Sequence, residues 1–276
     1  MTRQGPRGIL RLVRKWLALA LVLVSCGPAV ATAPKALPTA LPSRVPAAVS
    51  AAPSAVPLAT PSPAPACGTP GAGPVPDGWT CAETTKVDLD GNGWPDVFVI
   101  FARTAPASGD AWLARVALNG GPTYEIGFAA DVDDARSMIR GLVDVDRDGR
   151  DDVLVELGHG ASTEIVGVFG LGKNGLAQAA YQDGTKARLL FAGSVRHGAA
   201  VECRSQSGRA ELVMRGISNY TADDQWDWSE SVYTWSSKVL VLTSQRKGVI
   251  KVAHPFDPPP NEDAFWSFRC FGVDLY

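Results

Sequence analysis

Hydrophobic and polar positions change texture twice along this chain. The basic residues Arg3, Arg7, Arg11, Arg14 and Lys15 lead into the apolar run Leu17–Val24. From Gly27 to Ala66 the chain is built from Ala, Pro, Val, Ser and Thr, with Lys35 and Arg44 as its charges and no aromatic residue. After Cys81, short β-rich runs take over: Val97–Phe101, Trp112–Val116, Val153–Leu157, Ile165–Phe169, Ala210–Met214 and Lys238–Leu242. Turn-forming groups punctuate them, at Asn119-Gly120-Gly121, Asn174-Gly175, Asp183-Gly184 and Ser207-Gly208. No long stretch carries apolar residues at helical spacing. Many short strands with regular punctuation predict an antiparallel all-β fold, with propeller-like sheets forming a partial β-propeller or, alternatively, a β-sandwich.

The N-terminal pattern is that of a signal peptide. Eight apolar residues on a helix cover about 12 Å, short of the roughly 20 residues a bilayer span needs. The run ends in Leu23-Val24-Ser25-Cys26, which resembles the lipobox of bacterial lipoproteins. That resemblance implies cleavage before Cys26, lipid on its sulfur, and anchoring on the extracytoplasmic face of a bacterial cell membrane. Residues 1–25 are then the signal peptide, 26–66 a lipid-anchored disordered tether and 67–276 the folded domain. The tether's composition cannot build a core, and its prolines, from Pro28 to Pro65, favour polyproline II segments. At about 3.1 Å per residue it reaches on the order of 120 Å, enough to lift a domain into a cell-wall layer. A passive spacer is the preferred reading.

For a chain sent to an oxidising compartment, Cys67, Cys81, Cys203 and Cys270 form an even set, and two disulfides are expected. Three connectivities are open. The favoured one joins Cys67 to Cys81 and Cys203 to Cys270, since each pair shares one end of the domain. Zinc spacing of the C-x-x-C kind is absent. The formal net charge of −2 argues against a nucleic-acid partner.

An internal repeat appears when Val87–Val97 is laid over Val143–Val153, 56 residues later. The copies stay parallel downstream, Trp112–Gly120 matching Ile165–Gly175 in order and turn placement, so the unit is a four-strand module. Unit 1 covers about 84–140 and unit 2 about 141–192. A degenerate C-terminal unit, about 193–276, opens at Gly193-Ser194-Val195, where Arg196-His197-Gly198 replaces the acidic loop.

Both intact copies gather oxygen side chains at loop positions 1, 3, 5 and 9. The first supplies Asp88, Asp90, Asn92 and Asp96, and the second supplies Asp144, Asp146, Asp148 and Asp152. Gly93 and Gly149 at position 6 permit the sharp bend, and the carbonyls of Trp94 and Arg150 at position 7 can complete a shell. Alternate residues of a tight loop point to one centre, and hard oxygens suit calcium; softer metals would want His or Cys. Packed carboxylates without a cation would repel. Two structural calcium sites are therefore expected, against the plainer reading of solvated acidic turns.

Position 12 is Val99 or Val155, inside a β-forming run, which excludes an EF-hand. The D-x-D-x-D-G-x-x-D pattern resembles the calcium hairpins of FG-GAP and VCBS-type repeats in integrin-like β-propellers. It covers about residues 84–192, without the Phe-Gly and Gly-Ala-Pro elements that name the family. The resemblance implies bladed architecture, with each cation joining two strands of a hairpin.

No motif names a catalyst. His159, His197 and His254 lack zinc spacing, no G-x-S-x-G elbow or phosphate loop is present, and Asp151 and Glu156 only imitate a carboxylate pair. The late aromatics Trp226, Trp228, Tyr233, Trp235, Phe265, Trp266 and Phe268 could form a glycan- or peptide-binding face, but a buried sheet face is preferred. Thr221–Gln225 is the expected exposed binding edge. The leading expectation is a noncatalytic, calcium-stabilised binding or scaffolding module at the cell envelope, with a cell-wall or protein ligand. The alternative is an envelope enzyme acting on glycans or peptides through dispersed residues.

Overall fold

The computed structural model describes residues 67–104, 112–132 and 135–275. The expected signal peptide, Cys26 and the tether lie outside the described residues. Among those described, the extended elements are strands, with helix confined to 3₁₀ turns at Ala135–Ser137 and Glu262–Phe265. None of the described residues forms a helix long and apolar enough to cross a membrane.

A four-stranded antiparallel meander comes first: β1 (Trp79–Val87), β2 (Asp96–Arg103), β3 (Trp112–Ala117) and β4 (Thr123–Phe128). The next strands are β5 (Ile139–Val143), β6 (Asp152–His159), β7 (Thr163–Gly172), β8 (Gly175–Gln178) and β9 (Ala180–Tyr181). They are followed by β10 (Leu189–Ser194), β11 (His197–Gln206), β12 (Arg209–Ala222), β13 (Gln225–Ser236), β14 (Val239–Lys251), β15 (Phe268–Cys270) and β16 (Val273–Leu275). These build a second sheet in the order β5-β6-β7-β10-β11-β12-β13-β14-β9, with β8 on β7, and β15 between β11 and β16. Pairing is antiparallel except for β11 with β15 and β14 with β9. The fold is all-β, and each of the six sequence-predicted runs lies on a strand, Lys238 alone falling just outside one.

Alternation explains how the strands stack. On β2, Phe98 and Ile100 face a core shared with the second sheet, while Val97, Val99 and Phe101 face a smaller cluster with Ala72, Cys67 and Cys81. On β6, Val153, Val155 and Leu157 enter the shared core; Leu154 points the other way, toward Val166, Phe191, Val201 and Phe268. Burial on both faces makes these two strands read as continuous apolar runs.

The duplicated sequence is duplicated in structure. Val87 pairs with Asp96 at the end of the β1–β2 hairpin, and Val143 pairs with Asp152 at the end of β5–β6. Each repeat forms a four-strand meander, but β7 is longer than β3 and carries β8 at Phe169–Gly172 and β10 at Thr163–Val166. The expected boundary between residues 192 and 193 therefore falls inside β10. Gly193 and Gly198 face each other across the tight β10–β11 hairpin, where a Cβ on either would lie under 3 Å from the Trp266 indole.

Cys67 bonds to Cys81 and Cys203 to Cys270, the favoured pairing, with Cα atoms 5.4 Å and 4.5 Å apart. The late aromatics serve as core: Trp226 and Phe265 are buried with Trp228 and Trp266 against them, and Phe268 is buried with Tyr233 and Trp235 packed on the neighbouring cluster.

Candidate metal centres

The two acidic loops, Asp88–Pro95 and Asp144–Asp151, fold alike because the same side chains turn back on the same backbone groups. At position 1, Asp88 accepts the N–H groups of Asn92 (3.1 Å) and Gly93 (2.8 Å), and Asp144 those of Asp148 (3.0 Å) and Gly149 (2.9 Å). At position 5, Asn92 Oδ1 accepts the Trp94 N–H at 2.7 Å and Asp148 Oδ1 the Arg150 N–H at 3.1 Å. At position 9, buried Asp96 and Asp152 accept the N–H groups of Leu89 (2.9 Å) and Val145 (3.3 Å). Gly93 and Gly149 are left-handed, as expected at position 6. Position 4 is also left-handed, at Gly91 with φ 74° and Arg147 with φ 57°, a requirement the glycine pattern of one copy alone did not reveal.

These turns bring oxygens from Asp88, Asp90 and Asp96 within 4.8 Å of one another, and likewise those of Asp144, Asp146 and Asp152. The loops also touch. The Asp151 N–H donates to the Asp88 carbonyl at 2.9 Å, and a Cβ on Gly91 would sit 2.9 Å from Arg150 Cγ. Trp94 is 66 % exposed, whereas Arg150 folds back onto the Asp148 carboxylate.

Charge compensation separates the copies. In the first loop Asp96 Oδ1 accepts the Asn119 N–H at 2.8 Å, supplied because β3 ends at Ala117 and the chain turns. By strand register, Val97 opposite Ala117 corresponds to Val153 opposite Phe169, so Asn119 corresponds to Leu171. There β7 runs on through Gly172, and no such turn forms. Asp152 Oδ1 instead lies 2.6 Å from the Nζ of Lys238, which also sits 2.9 Å from Asp146 Oδ2 and 3.9 Å from Asp148 Oδ2. Gly170 makes room for it, since a Cβ there would lie 1.9 Å from Asp152 Oδ1 and 2.7 Å from Lys238 Cε.

Burial pushes the Asp152 carboxyl up to about 7 against the pull of Lys238, with repulsion from Asp146 adding to the rise. Burial raises Asp146 too, and Lys238 again opposes it. Although burial alone would lower Lys238, its contacts with Asp152 and Asp146 raise it. Burial thus outweighs the ammonium at Asp152, and the second carboxylate facing the same Lys238 adds to the rise. In the first loop burial also raises Asp96, opposed by its two backbone hydrogen bonds and reinforced by Asp90 and Asp88.

The first loop therefore fits a hard dication: four oxygen side chains, convergent carboxylates and, among the described residues, no basic partner on them. The second loop has the same backbone but already holds an ammonium. Matched against protein-family models, curated proteins and solved structures, the chain matches none.

Apart from Asp151, the remaining singled-out residues lie outside the two loops. His159 Nδ1 lies 2.9 Å from Glu156 Oε1, and Glu156 also takes Arg140 at 2.6 Å, so Glu156 and Asp151 are in separate contacts. His197 Nδ1 faces Ser194 Oγ at 2.8 Å and Tyr220 Oη at 2.9 Å, and His254 pairs with Asp257 at 3.0 Å. Thr221–Gln225 forms the tight β12–β13 turn, beside which the Arg196 guanidinium lies 5.5 Å from the ring centres of both Tyr220 and Phe256. Lys238 is the site residue that sequence reasoning missed. Its one sequence signal was a charged residue at the start of an apolar run.

Proposed function

We propose that the chain is a noncatalytic, calcium-stabilised binding or scaffolding module displayed at a bacterial cell envelope, tethered through lipid on Cys26. The observation that carries this reading is the pair of hairpin loops with matching position-1, position-5 and position-9 hydrogen bonds, each closing on three convergent carboxylates and each stitched to the other through Asp151 and Asp88. A cation there would bridge the strands on either side of the loop and rigidify the junction between the two meanders. In this reading β1–β4 and β5–β8 are two propeller-type blades of the FG-GAP and VCBS kind, and β10–β14 extend the second blade. Two disulfides and a Pro-rich spacer suit a domain held outside the cytoplasm. The binding edge is placed at the β12–β13 turn, where Tyr220 and Phe256 are exposed beside Arg196 and Asp223.

Catalysis has less support. The buried carboxylate Glu156 is satisfied by Arg140 and His159, and the described histidines each bond to a neighbouring side chain. Fractionation and retention assays test the reading together. The wild-type chain is expected in the membrane fraction and Cys26→Ser in the soluble one. The domain is expected to be retained on envelope material without turnover, and less so after Tyr220→Ala. Product formation from glycan or peptide substrates, abolished by a single acidic or His substitution, would replace this reading with an enzyme.

A further inference from the structure

We infer that the Lys238 ammonium is the resident cation of the second acidic loop and excludes a divalent ion from it. The inference is independent of whether calcium fills the first loop, though it deepens that reading by assigning the divalent site to Asp88, Asp90, Asn92 and Asp96.

Geometry carries the assignment. The Nζ of Lys238 lies 2.6 Å from Asp152, 2.9 Å from Asp146 and 3.9 Å from Asp148, so it faces three of the loop's four carboxylates, two of them members of the convergent triad. The Lys238 and Asp146 side chains are each 4 % exposed and Asp152 is fully buried, so water does not compete with the contact. Lysine has been led there by three features of the fold. Ser237 turns left-handed at φ 55°, the Lys238 carbonyl is fixed by the Ala180 N–H at 3.0 Å, and Gly170 leaves the channel its side chain needs. The first unit differs at the channel itself, because its counterpart to Gly170 is Leu118 and its Asp96 is served by the Asn119 N–H.

A dication entering the second loop would have to expel this ammonium from a buried position or share the cage with it. Like charges a few ångströms apart oppose sharing, and a lysine held by the β13–β14 turn is always present at the site. Arg150 on Asp148 adds a second positive charge. The two copies thus solve one electrostatic problem differently. One is open to an exchangeable ion; the other is closed by a residue of the β13–β14 turn and pins that turn to the β5–β6 hairpin at any calcium level.

Stoichiometry decides it. Isothermal titration of the purified chain with calcium, and with terbium excited through tryptophan, is expected to give one ion per chain. Asp90→Asn should abolish that binding and Asp146→Asn should leave it unchanged. Lys238→Met, shown folded by circular dichroism, should bind two ions, and adding Asp146→Asn should return it to one. Two ions in the wild type with one lost on Asp146→Asn would overturn the inference, as would a folded Lys238→Met that gains none. Should Lys238→Met not fold, the Asp146→Asn result alone settles the matter in the same two directions. No ion in the wild type and one in Lys238→Met would uphold the role of Lys238 while refuting calcium at the first loop.

Discussion

Asp96 and Asp90 serve one loop but should respond to substitution under different conditions. Asp96 is fully buried and accepts two backbone N–H groups, from Leu89 at 2.9 Å and Asn119 at 2.8 Å, tying the loop to the β3–β4 turn. Asn in its place keeps one acceptor oxygen and turns an NH₂ group toward the other N–H. A buried donor left facing a donor costs about 1–3 kcal/mol. Relief of repulsion from Asp88 and Asp90 returns part of this, about 0–1 kcal/mol for charges at the surface. The middle of that difference is about 1–2 kcal/mol, and a domain of this size shifts its melting midpoint by about 2–4 °C per kcal/mol, so Asp96→Asn should lower the midpoint by roughly 2–8 °C even in chelator. Asp90 bonds only within the loop, to Asn92, so Asp90→Asn should stay within about 0.5 kcal/mol of wild type in chelator. In 10 mM calcium the order changes. An ion held with a dissociation constant of about 10⁻⁴ to 10⁻³ M adds about 1.4–2.7 kcal/mol to the wild type, and Asp90→Asn should lose that gain. Thermal melts of the three proteins with and without calcium provide the comparison. If Asp96→Asn melts with wild type in chelator and departs from it only in calcium, the buried carboxylate is a ligand alone and the structural argument is wrong.

Other consequences can be measured separately. The Cys203–Cys270 bond spans 67 residues against 14 for Cys67–Cys81, so on chain entropy its removal should cost about 4.4 kcal/mol against about 3 kcal/mol in urea titrations of the paired Ala variants; the reverse order would contradict the estimate. Glu230 is pushed up by burial, but hydrogen bonds from Arg246 and Arg215 outweigh this and hold its carboxyl below the usual 4.5. Its stabilisation is therefore fully present above about pH 4.5 and lost as pH falls through the lower folded value, and Glu230→Gln should flatten the acid limb of a stability-versus-pH curve. An unchanged slope would remove Glu230 from the account. Gly170→Ala should cost about 1–3 kcal/mol by crowding Asp152 and Lys238, with no change in ion binding at the first loop; wild-type stability would show that the channel is not filled as described.

What was legible in the sequence was what lies close together along it. The runs of β2 and β6 alternate between two cores, and each acidic loop draws its oxygens from nine consecutive residues, so spacing alone exposed both. The pairing of Cys203 with Cys270 followed from their shared end of the domain, and the parallel register of β11 and β15 sets them opposite each other. Sheet continuation was less legible. Nothing local distinguishes β7, which carries both β8 and β10, from β3, which carries β4 alone.

The difference between the two loops was hidden for a physical reason. Whether a nest of carboxylates needs an ion depends on the charges that reach it in space, and Lys238 reaches Asp146 across 92 residues. In sequence it is one lysine before an apolar run, and Gly170 is one glycine in a strand; the register of β6 on β7 sets Gly170 beside Asp152, and the pairing of β14 with β9 brings Lys238 to it. A repeat can thus keep its oxygen spacing after its cation chemistry has changed. Conserved loop geometry follows from backbone hydrogen bonds that Asp88 and Asp144 make alike, and these persist whichever positive charge lies at the centre.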